Sequence, residues 1–266
     1  PDLENIEYIV VCPLARGTMG YQGIAEKDVW DMVEDVKNRF KVDENRMFLT
    51  GLSMGGGGTL WLGLTKPDIW AAIAPVCPAP PDETSIFIPN AINQNIAIFQ
   101  GEADPVVSAE NTRFWVENLK TAGAKVQYTE YPNVKHDSWV NAYENGAIFK
   151  YFNKIVKNNY PNKVIHSTDR LKYGKSFWVQ IIDRDSSGIS QISANFVQKG
   201  LLHIKTNNVS EIGLSVADHP LFKSTSNVQI DGQNLVIHGL LTGQSLKKAN
   251  NGVWQISNST QNQVPS

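Results

Sequence analysis

The sequence predicts an α/β fold with a mostly parallel sheet, followed by a small all-β antiparallel domain of sandwich type. Two observations carry this prediction. Up to about residue 157, short apolar runs alternate with helical patterns, which is typical of a doubly wound sheet. After that point, short runs rich in β-branched and aromatic residues are separated by turn signals without a helical period, which favours a sandwich or barrel.

Five apolar runs in the first half are expected to form the parallel sheet. They are IEYIVVC, RMFLTG, WAAIAPV, IAIFQG and KVQYTEY. Their near-continuous apolar character fits strands that are buried on both faces. Between the first two runs, apolar residues recur on one face of an amphipathic helix, namely Val29, Val33, Val36 and Phe40. Further helices are expected at residues 109–119 and 144–152.

The sequence pattern changes from alternating strands and helices to short strand-like runs at Asn-Asn-Tyr-Pro-Asn, which predicts a domain boundary there. We therefore expect a catalytic-type α/β domain at 1–158 and a β-sandwich-like domain at 159–266. The runs expected to form strands in the second domain are SFWVQII, ISANFVQ, LLHIKTN, EIGLSVA and NLVIHGL. Turn signals such as SSG, TNN and the Asp-Gly of VQIDGQN separate these runs.

Composition excludes several classes of function. The formal net charge is −2 with no basic run, so neither nucleic acid nor an anionic membrane surface is an expected partner. No apolar segment reaches the roughly 18 residues of a membrane span, and no signal-peptide pattern opens the chain. Cys12 and Cys77 each end a strand-like run and are expected to be free buried thiols, with a disulfide between them as the alternative. No Cys or His spacing predicts a metal, and no cofactor is expected.

The pentapeptide Gly51-Leu52-Ser53-Met54-Gly55 has the G-x-S-x-G pattern of a nucleophile elbow. A strand-like run precedes Ser53 and a helical run follows it, as that turn requires. Glycines at such a turn let the following helix pack closely on the sheet. The Met54 N–H, at the start of that helix, would stabilise a developing oxyanion. A phosphate-binding loop is the alternative interpretation, but the sequence here lacks the GK[ST] of a P-loop.

A serine nucleophile needs a base and an acid, which in this fold follow in the order Ser, Asp or Glu, His. Asp104 lies in the loop after IAIFQG, and His136 lies in the loop after KVQYTEY. Glu102 and Asp137 remain alternatives for the acid. The other histidines lie in the second half: His203 and His238 within expected strands, and His166 and His219 in or near turns.

These residues resemble the α/β-hydrolase superfamily. The stretch PLARGTMGYQGIAEKDVWDMVEDVKNRFKVDENRMFLTGLSMGG is similar to polyhydroxybutyrate-depolymerase-like and phospholipase/carboxylesterase-like esterases, as are QGEADPVV and KHDSW. The resemblance covers about residues 6–152 and implies Ser53 as nucleophile, Asp104 as acid, His136 as base and Met54 as an oxyanion-hole residue. The β-rich tail with NNGVWQI resembles an accessory domain of bacterial, often exported, members, which makes a secreted or periplasmic location an expectation.

The chain departs from that family's pattern in one respect. There, a strand like IEYIVVC is about the fourth, and a preceding loop donates the second oxyanion N–H. Here the chain starts at that strand. We therefore expect a truncated or processed chain whose sheet is completed by an additional segment or a second chain, because a sheet without its early strands would expose an edge.

The function expected from these features is that of a serine carboxylesterase acting on a small-molecule or polysaccharide ester. Feruloyl and acetyl esters of plant polysaccharide are the substrates implied by the resemblance. Tyr21 and Trp139 are the expected substrate-binding residues, although Trp139 fits a core anchor equally well; Trp61 is expected in the core. The alternatives are a serine peptidase of prolyl-oligopeptidase type and a non-catalytic binding or structural protein.

Overall fold

The computed structural model of the chain describes residues 8–14, 16, 17, 19–238 and 244–258. It divides into two compact units, Pro1–Asn158 and Asn159–Ser266. The first unit is built on a parallel sheet with helices, and the second on two packed sheets. This arrangement confirms the predicted fold class.

A parallel four-stranded sheet forms the centre of the first unit. Its strands are β1 (Phe48–Leu52), β2 (Ala72–Val76), β3 (Asn95–Gly101) and β4 (Lys125–Tyr131), in the spatial order β1-β2-β3-β4. All of its neighbouring strands run parallel. Every residue of β2 is buried, as expected for the interior of a sheet that is covered on both faces. Four of the five predicted runs therefore form strands.

The helices of this unit connect and cover the strands. They are α1 (Ile24–Arg39), α2 (Met54–Thr65), α3 (Ala109–Thr121), α4 (Trp139–Tyr143) and α5 (Ala147–Phe152), with a 3-10 helix at Asp82–Asn93. The helix α2 is apolar and buried from Gly56 to Thr65, because it packs against the strands β1 and β2 and also against the 3-10 helix at Asp82–Asn93. The predicted apolar face of α1 is only partly correct. Val29 is buried, but Phe40 is exposed because the helix ends at Arg39 and Phe40 has extended backbone angles.

The prediction of a strand at IEYIVVC is wrong for the part that the structure describes. Residues 8–12 have no strand pairing, and Ile6 and Glu7 lie outside the described residues. Ile9, Val10 and Val11 are 52%, 50% and 41% exposed. A β-branched run has high strand propensity, but a strand forms only where a neighbour pairs with it. Cys12 and Cys77 are both free thiols, as expected, but Cys12 is exposed rather than buried.

The second unit is a two-sheet β-sandwich. Its strands are β5 (Lys163–Thr168), β6 (Lys175–Ser176), β7 (Val179–Asp183), β8 (Ser190–Gln198), β9 (Leu201–Asn207), β10 (Glu211–Leu214), β11 (Thr225–Ile230), β12 (Gln233–His238), β13 (Gln244–Lys248) and β14 (Trp254–Asn258). One sheet has the order β12-β11-β9-β8-β5 and the other β14-β13-β10-β7-β6. Both sheets contribute to one core that includes Trp178, Phe196 and Trp254.

Three details refine the prediction for this unit. The pairing of β9 with β11 is parallel, whereas the other pairings are antiparallel. Asp231 and Gly232 have φ values of 47° and 84° and form the tight turn between β11 and β12. His166 was expected in or near a turn, but it lies in β5 and is fully buried.

In the part of the chain that the structure describes, the helices are too short or too polar to cross a lipid bilayer.

Candidate active site

Ser53 occupies the turn between β1 and α2. Its backbone has φ 54° and ψ −117°, a conformation that is costly for a residue with a side chain. Main-chain hydrogen bonds maintain it: the Ser53 N–H donates to Val76 O at 2.9 Å, and Ser53 O accepts from the N–H groups of Gly57 at 2.9 Å and Ala79 at 3.2 Å. A strained backbone conformation of this kind persists only where surrounding contacts stabilise it, and such conformations are concentrated at functional sites.

The glycines after Ser53 allow two close approaches. A Cβ on Gly56 would lie 2.4 Å from Val76 O, at the end of β2. A Cβ on Gly58 would lie 2.3 Å from the ring of Tyr21. Since real Cβ atoms do not approach that closely, only glycine lets α2 start directly against the sheet with an aromatic ring over its first turn. The glycine run costs helix propensity but positions Ser53 at the carboxyl end of the strands.

His136 joins Ser53 to Asp104. It lies in the loop after β4, where its Nε2 is 3.0 Å from Ser53 Oγ and its Nδ1 is 2.8 Å from Asp104 Oδ2. A main-chain hydrogen bond from Ala103 N to Val134 O at 2.9 Å ties the loop that carries the acid to the loop that carries the histidine. The three side chains that the sequence singled out therefore meet, although they are up to 83 residues apart along the chain.

Asp104 is held as a buried anion. Its side chain is 0% exposed. Its Oδ1 accepts hydrogen bonds from the N–H groups of Val106 at 2.8 Å and Val107 at 2.9 Å, and its Oδ2 accepts one from Gln100 Nε2 at 3.2 Å. Burial by itself would raise the pKa of Asp104, but the hydrogen bonds from His136, Val107 and Val106 outweigh it and hold the pKa below its ordinary value. Asp104 is thus ionised at neutral pH.

Glu102 and Asp137, the two alternative acids, have hydrogen-bond partners other than His136. The Glu102 carboxylate accepts a hydrogen bond from the Asn133 N–H at 3.1 Å. Asp137 is exposed, and its main-chain carbonyl accepts from the Val140 N–H at the start of α4. Of the three candidates, Asp104 is the one whose carboxylate is within hydrogen-bond distance of His136.

The arrangement determines which tautomer of His136 is favoured. An ionised Asp104 accepts a hydrogen bond from the Nδ1–H group, so the proton stays on Nδ1 and the lone pair of Nε2 is directed at Ser53 Oγ. Nε2 can then take the hydroxyl proton when Ser53 attacks an electrophile. This division of roles is what a serine nucleophile requires.

The other predicted site residues surround this centre. Met54 is the first residue of α2, so its N–H has no acceptor within the helix. The partly buried Tyr21 lies over the first turn of α2, close to Gly58 and Gly55. Trp139 contacts His136 edge to face, with ring centroids 5.5 Å apart. Trp139 is also partly buried against the hydrophobic cluster under α4 and α5, which is the position of a core anchor; its contact with a substrate stays a prediction. Trp61 is 1% exposed and belongs to the core.

Cys77 belongs to the hydrophobic core, as expected from the sequence, and it also lies directly behind the site. It follows β2 with φ 36°, and its Sγ contacts His136 O at 3.7 Å. Burial raises the pKa of Cys77 above its ordinary value, and the nearby Asp104 charge adds to this. The signal that was overlooked is position, because residues directly after parallel strands gather at the edge of the sheet where ligands bind.

Gln100 was also not singled out from the sequence. It is fully buried in β3, and its Nε2 contacts Asp104 Oδ2, Gly101 O and Val107 O. Its Oε1 accepts from the Thr112 hydroxyl at 2.8 Å. The sequence did contain a signal for this role, because a polar residue inside a predicted buried strand must find hydrogen-bond partners for its amide.

Among the described residues, one group of side chains has the composition of a metal site. Ligand atoms of Cys77, Asp104 and His136 lie within 4.8 Å of one another.

Residues 19–161 match the family described as PET hydrolase-like. That match spans α1 to α5 and so contains the whole of the site described above.

Three individual proteins show more limited similarity. A thermostable esterase of known structure is 31% identical, with a TM-score of 0.46, over 51% of this chain and 38% of its own. SOBER1 from Arabidopsis thaliana is 24% identical, with a TM-score of 0.41, over 49% of this chain and 62% of its own. A 5′-nucleotidase from Pseudomonas aeruginosa is 33% identical over 79 residues, which are 27% of this chain and 36% of the nucleotidase. The chain thus spans between about a third and two thirds of these proteins.

Proposed function

The chain belongs to the PET hydrolase-like family, and we propose that it is a serine ester hydrolase of the α/β-hydrolase type that cleaves carboxylic esters through Ser53, His136 and Asp104. The observation that carries the proposal is the continuous pair of hydrogen bonds from Ser53 Oγ to His136 Nε2, 3.0 Å, and from His136 Nδ1 to Asp104 Oδ2, 2.8 Å. Ser53 attacks the ester carbonyl while Nε2 takes its proton, and the imidazolium then protonates the leaving alcohol. Water, activated by the same nitrogen, releases the acyl group from Ser53.

The oxyanion of the tetrahedral intermediate is stabilised by the N–H of Met54. This N–H lies at the positive end of the α2 dipole, and the donor is fixed by the helix before the reaction starts. A second donor is expected from a segment that pairs with the outer edge of β1. Among the described residues β1 has a neighbour, β2, on one side only, and the half-exposed Ile9, Val10 and Val11 provide apolar surface.

The proposed partner is therefore a further extended segment that completes the sheet, from the same polypeptide or a second chain. Amide hydrogen exchange provides the test, because pairing would protect the outward N–H groups of β1. We expect faster exchange at residues 48–52 in the 266-residue chain than in the protein purified from its native source. Equal exchange in the two preparations would contradict a completing strand.

For the substrate, we propose esters with an aromatic acyl group, such as feruloyl esters of plant polysaccharide. Trp139 presents an aromatic surface beside His136, and the ring of Tyr21 lies over the start of α2. Aromatic side chains favour flat acyl groups. We expect higher kcat/KM on a feruloyl ester and a terephthalate ester than on acetyl-xylan. A preference for acetyl-xylan would replace the aromatic proposal by the acetyl esterase alternative.

Replacement of Ser53 by alanine tests the proposal itself. We expect Ser53→Ala to lower kcat on p-nitrophenyl esters by about 10⁴-fold or more, and to abolish labelling by a fluorophosphonate, which reacts readily only with an activated serine. Ser85→Ala, at an exposed serine of the first unit, is the matched control and should retain both. Near-normal hydrolysis by Ser53→Ala, or a wild-type chain that is not labelled, would refute the assignment and favour a non-catalytic protein. Cleavage of peptides in preference to esters would favour the peptidase alternative.

A further inference from the structure

Cys77 brings a thiol to the two residues that assist Ser53. Its Sγ, a carboxylate oxygen of Asp104 and a ring nitrogen of His136 all lie within 4.8 Å of one another. Cys77 is fully buried and the Asp104 side chain is 0% exposed, whereas the His136 side chain is 23% exposed. The hydrolytic reaction described above makes no use of the thiol. A buried thiol this close to Asp104 and His136 is therefore open to a separate role.

We propose that Cys77, Asp104 and His136 form an inhibitory site for a thiophilic divalent metal such as Zn²⁺. The site shares two residues with the proposed hydrolytic centre, so the inhibitory effect rests on the proposed function. Zn²⁺ takes Cys sulfur, His nitrogen and carboxylate oxygen at about 2.0 to 2.3 Å in a tetrahedral arrangement. Those bond lengths put neighbouring ligand atoms about 3.3 to 3.7 Å apart.

The present positions are close to that requirement. The Nδ1 of His136 and Oδ2 of Asp104, now 2.8 Å apart, would separate by about half an ångström to reach the tetrahedral spacing. The sulfur, now within 4.8 Å of the other two ligand atoms, would approach them by at most about 1.3 Å. Rotation of the partly exposed imidazole would open a route by which an ion reaches the two buried ligands. Water is available as the fourth ligand.

Metal binding would block the base through its tautomer. The Cys77 thiol releases its proton to water when it binds the metal. On His136, the metal takes the place of the proton on Nδ1 and binds the lone pair of that nitrogen. The neutral ring then carries its proton on Nε2. A protonated Nε2 has no lone pair for the Ser53 hydroxyl proton, so nucleophilic attack stops while the three side chains remain together.

The ligand set also determines which ions inhibit. A thiolate and an imidazole favour Zn²⁺ and other soft or borderline ions, whereas Mg²⁺ and Ca²⁺ prefer sites made of oxygen ligands. We therefore expect inhibition by Zn²⁺ that is reversed by a chelator, and none by Mg²⁺ or Ca²⁺ at the same concentration.

The test compares the two thiols of the chain. Cys77→Ser keeps the size of the side chain but removes the thiolate, and we expect the Zn²⁺ concentration for half-inhibition to rise by about 10- to 100-fold. Cys12→Ser, at the exposed thiol, is the matched control and should be inhibited like the wild type. A second readout needs no activity: Co²⁺ bound to Cys77 should give thiolate-to-metal charge-transfer absorption in the wild type, in Cys12→Ser and in Ser53→Ala.

The outcomes separate this proposal from the proposed function. Equal Zn²⁺ inhibition of the wild type and Cys77→Ser would overturn the metal site, and so would a wild type without the Co²⁺ thiolate band. If Cys77→Ser does not fold, the Co²⁺ spectra of the wild type and Cys12→Ser decide the question. Continued hydrolysis by Ser53→Ala would refute the function assigned to Ser53, while the Co²⁺ spectrum would still test the metal site.

Discussion

Replacement of Asp104 by asparagine should invert the proton arrangement of His136. The Oδ1 of Asp104 accepts from two main-chain N–H groups, those of Val106 and Val107. The carbonyl oxygen of an asparagine must take that position, since its NH₂ group cannot accept a hydrogen bond. The NH₂ is then directed at His136 Nδ1, in the place of Oδ2. The favoured tautomer of His136 consequently carries its proton on Nε2, where it cannot receive the proton of Ser53.

The expected loss follows from this inversion and from the missing charge beside the imidazolium. We expect kcat to fall by about 10⁴-fold, equivalent to about 5 kcal/mol of transition-state stabilisation. KM should change little, because Asp104 is buried behind His136 and is not placed to contact the substrate. The free energy of unfolding should fall by only about 1 to 2 kcal/mol, because the two main-chain hydrogen bonds remain.

Steady-state kinetics on a p-nitrophenyl ester, with urea unfolding of the same preparations, measures both effects. Glu102→Gln is the matched control, since Glu102 lies in the same loop but accepts its hydrogen bond from Asn133. It should keep kcat within a few-fold of the wild type. A kcat for Asp104→Asn within tenfold of the wild type would refute the reasoning, and so would a loss confined to Glu102→Gln.

Three further outcomes are expected. Gly57→Ala should lower the free energy of unfolding by about 1 to 3 kcal/mol and reduce kcat, because its Cβ would lie 2.2 Å from Ala79 O. Gly55→Ala, with its nearest atoms at 3.9 Å, should be neutral or stabilising by up to about 1 kcal/mol; equal effects of the two substitutions in urea unfolding would contradict the packing argument. Gln100→Leu should cost about 3 kcal/mol and lower kcat with little change in KM, since it leaves buried partners unsatisfied; an unchanged kcat would show that Gln100 does not position the acid. Burial lowers the pKa of His166 to about 4, so between pH 6.5 and about 4 the unfolded state binds the extra proton and stability falls as the pH falls, by about 3 kcal/mol in all. Urea unfolding of the wild type and His166→Gln over that range checks the sign, and an identical pH slope in both would contradict it.

The sequence was sufficient to predict the elements that bring Ser53 and His136 together. The order of strand, turn and helix around Ser53, and the loop position of His136, depend on local patterns that a single chain displays. The choice between Glu102 and Asp104 could not be made in the same way. Both residues lie in one loop, and their orientation depends on contacts with the distant residues Asn133 and His136.

Other features depend on pairing and packing that local patterns do not encode. The run at residues 8–12 has the composition of a strand, but composition supplies no neighbour with which to pair. The strand β13 was not predicted because Gln-Ser-Leu-Lys-Lys has little apolar alternation, and its place comes from its neighbours β10 and β14. Cys77 was read as a core thiol because its burial is predictable, whereas the positive φ that turns it toward His136 is not.

The parallel pair β9–β11 limits how the second unit can assemble. The chain leaves β9, contributes β10 to the opposite sheet, and returns to lie beside β9 as β11. Neither sheet can therefore be completed from consecutive hairpins alone. Closing the chain between β9 and β11 costs conformational entropy before the stabilising contacts between these two strands form. We therefore expect both layers to fold together, and neither sheet to persist alone as a native fragment.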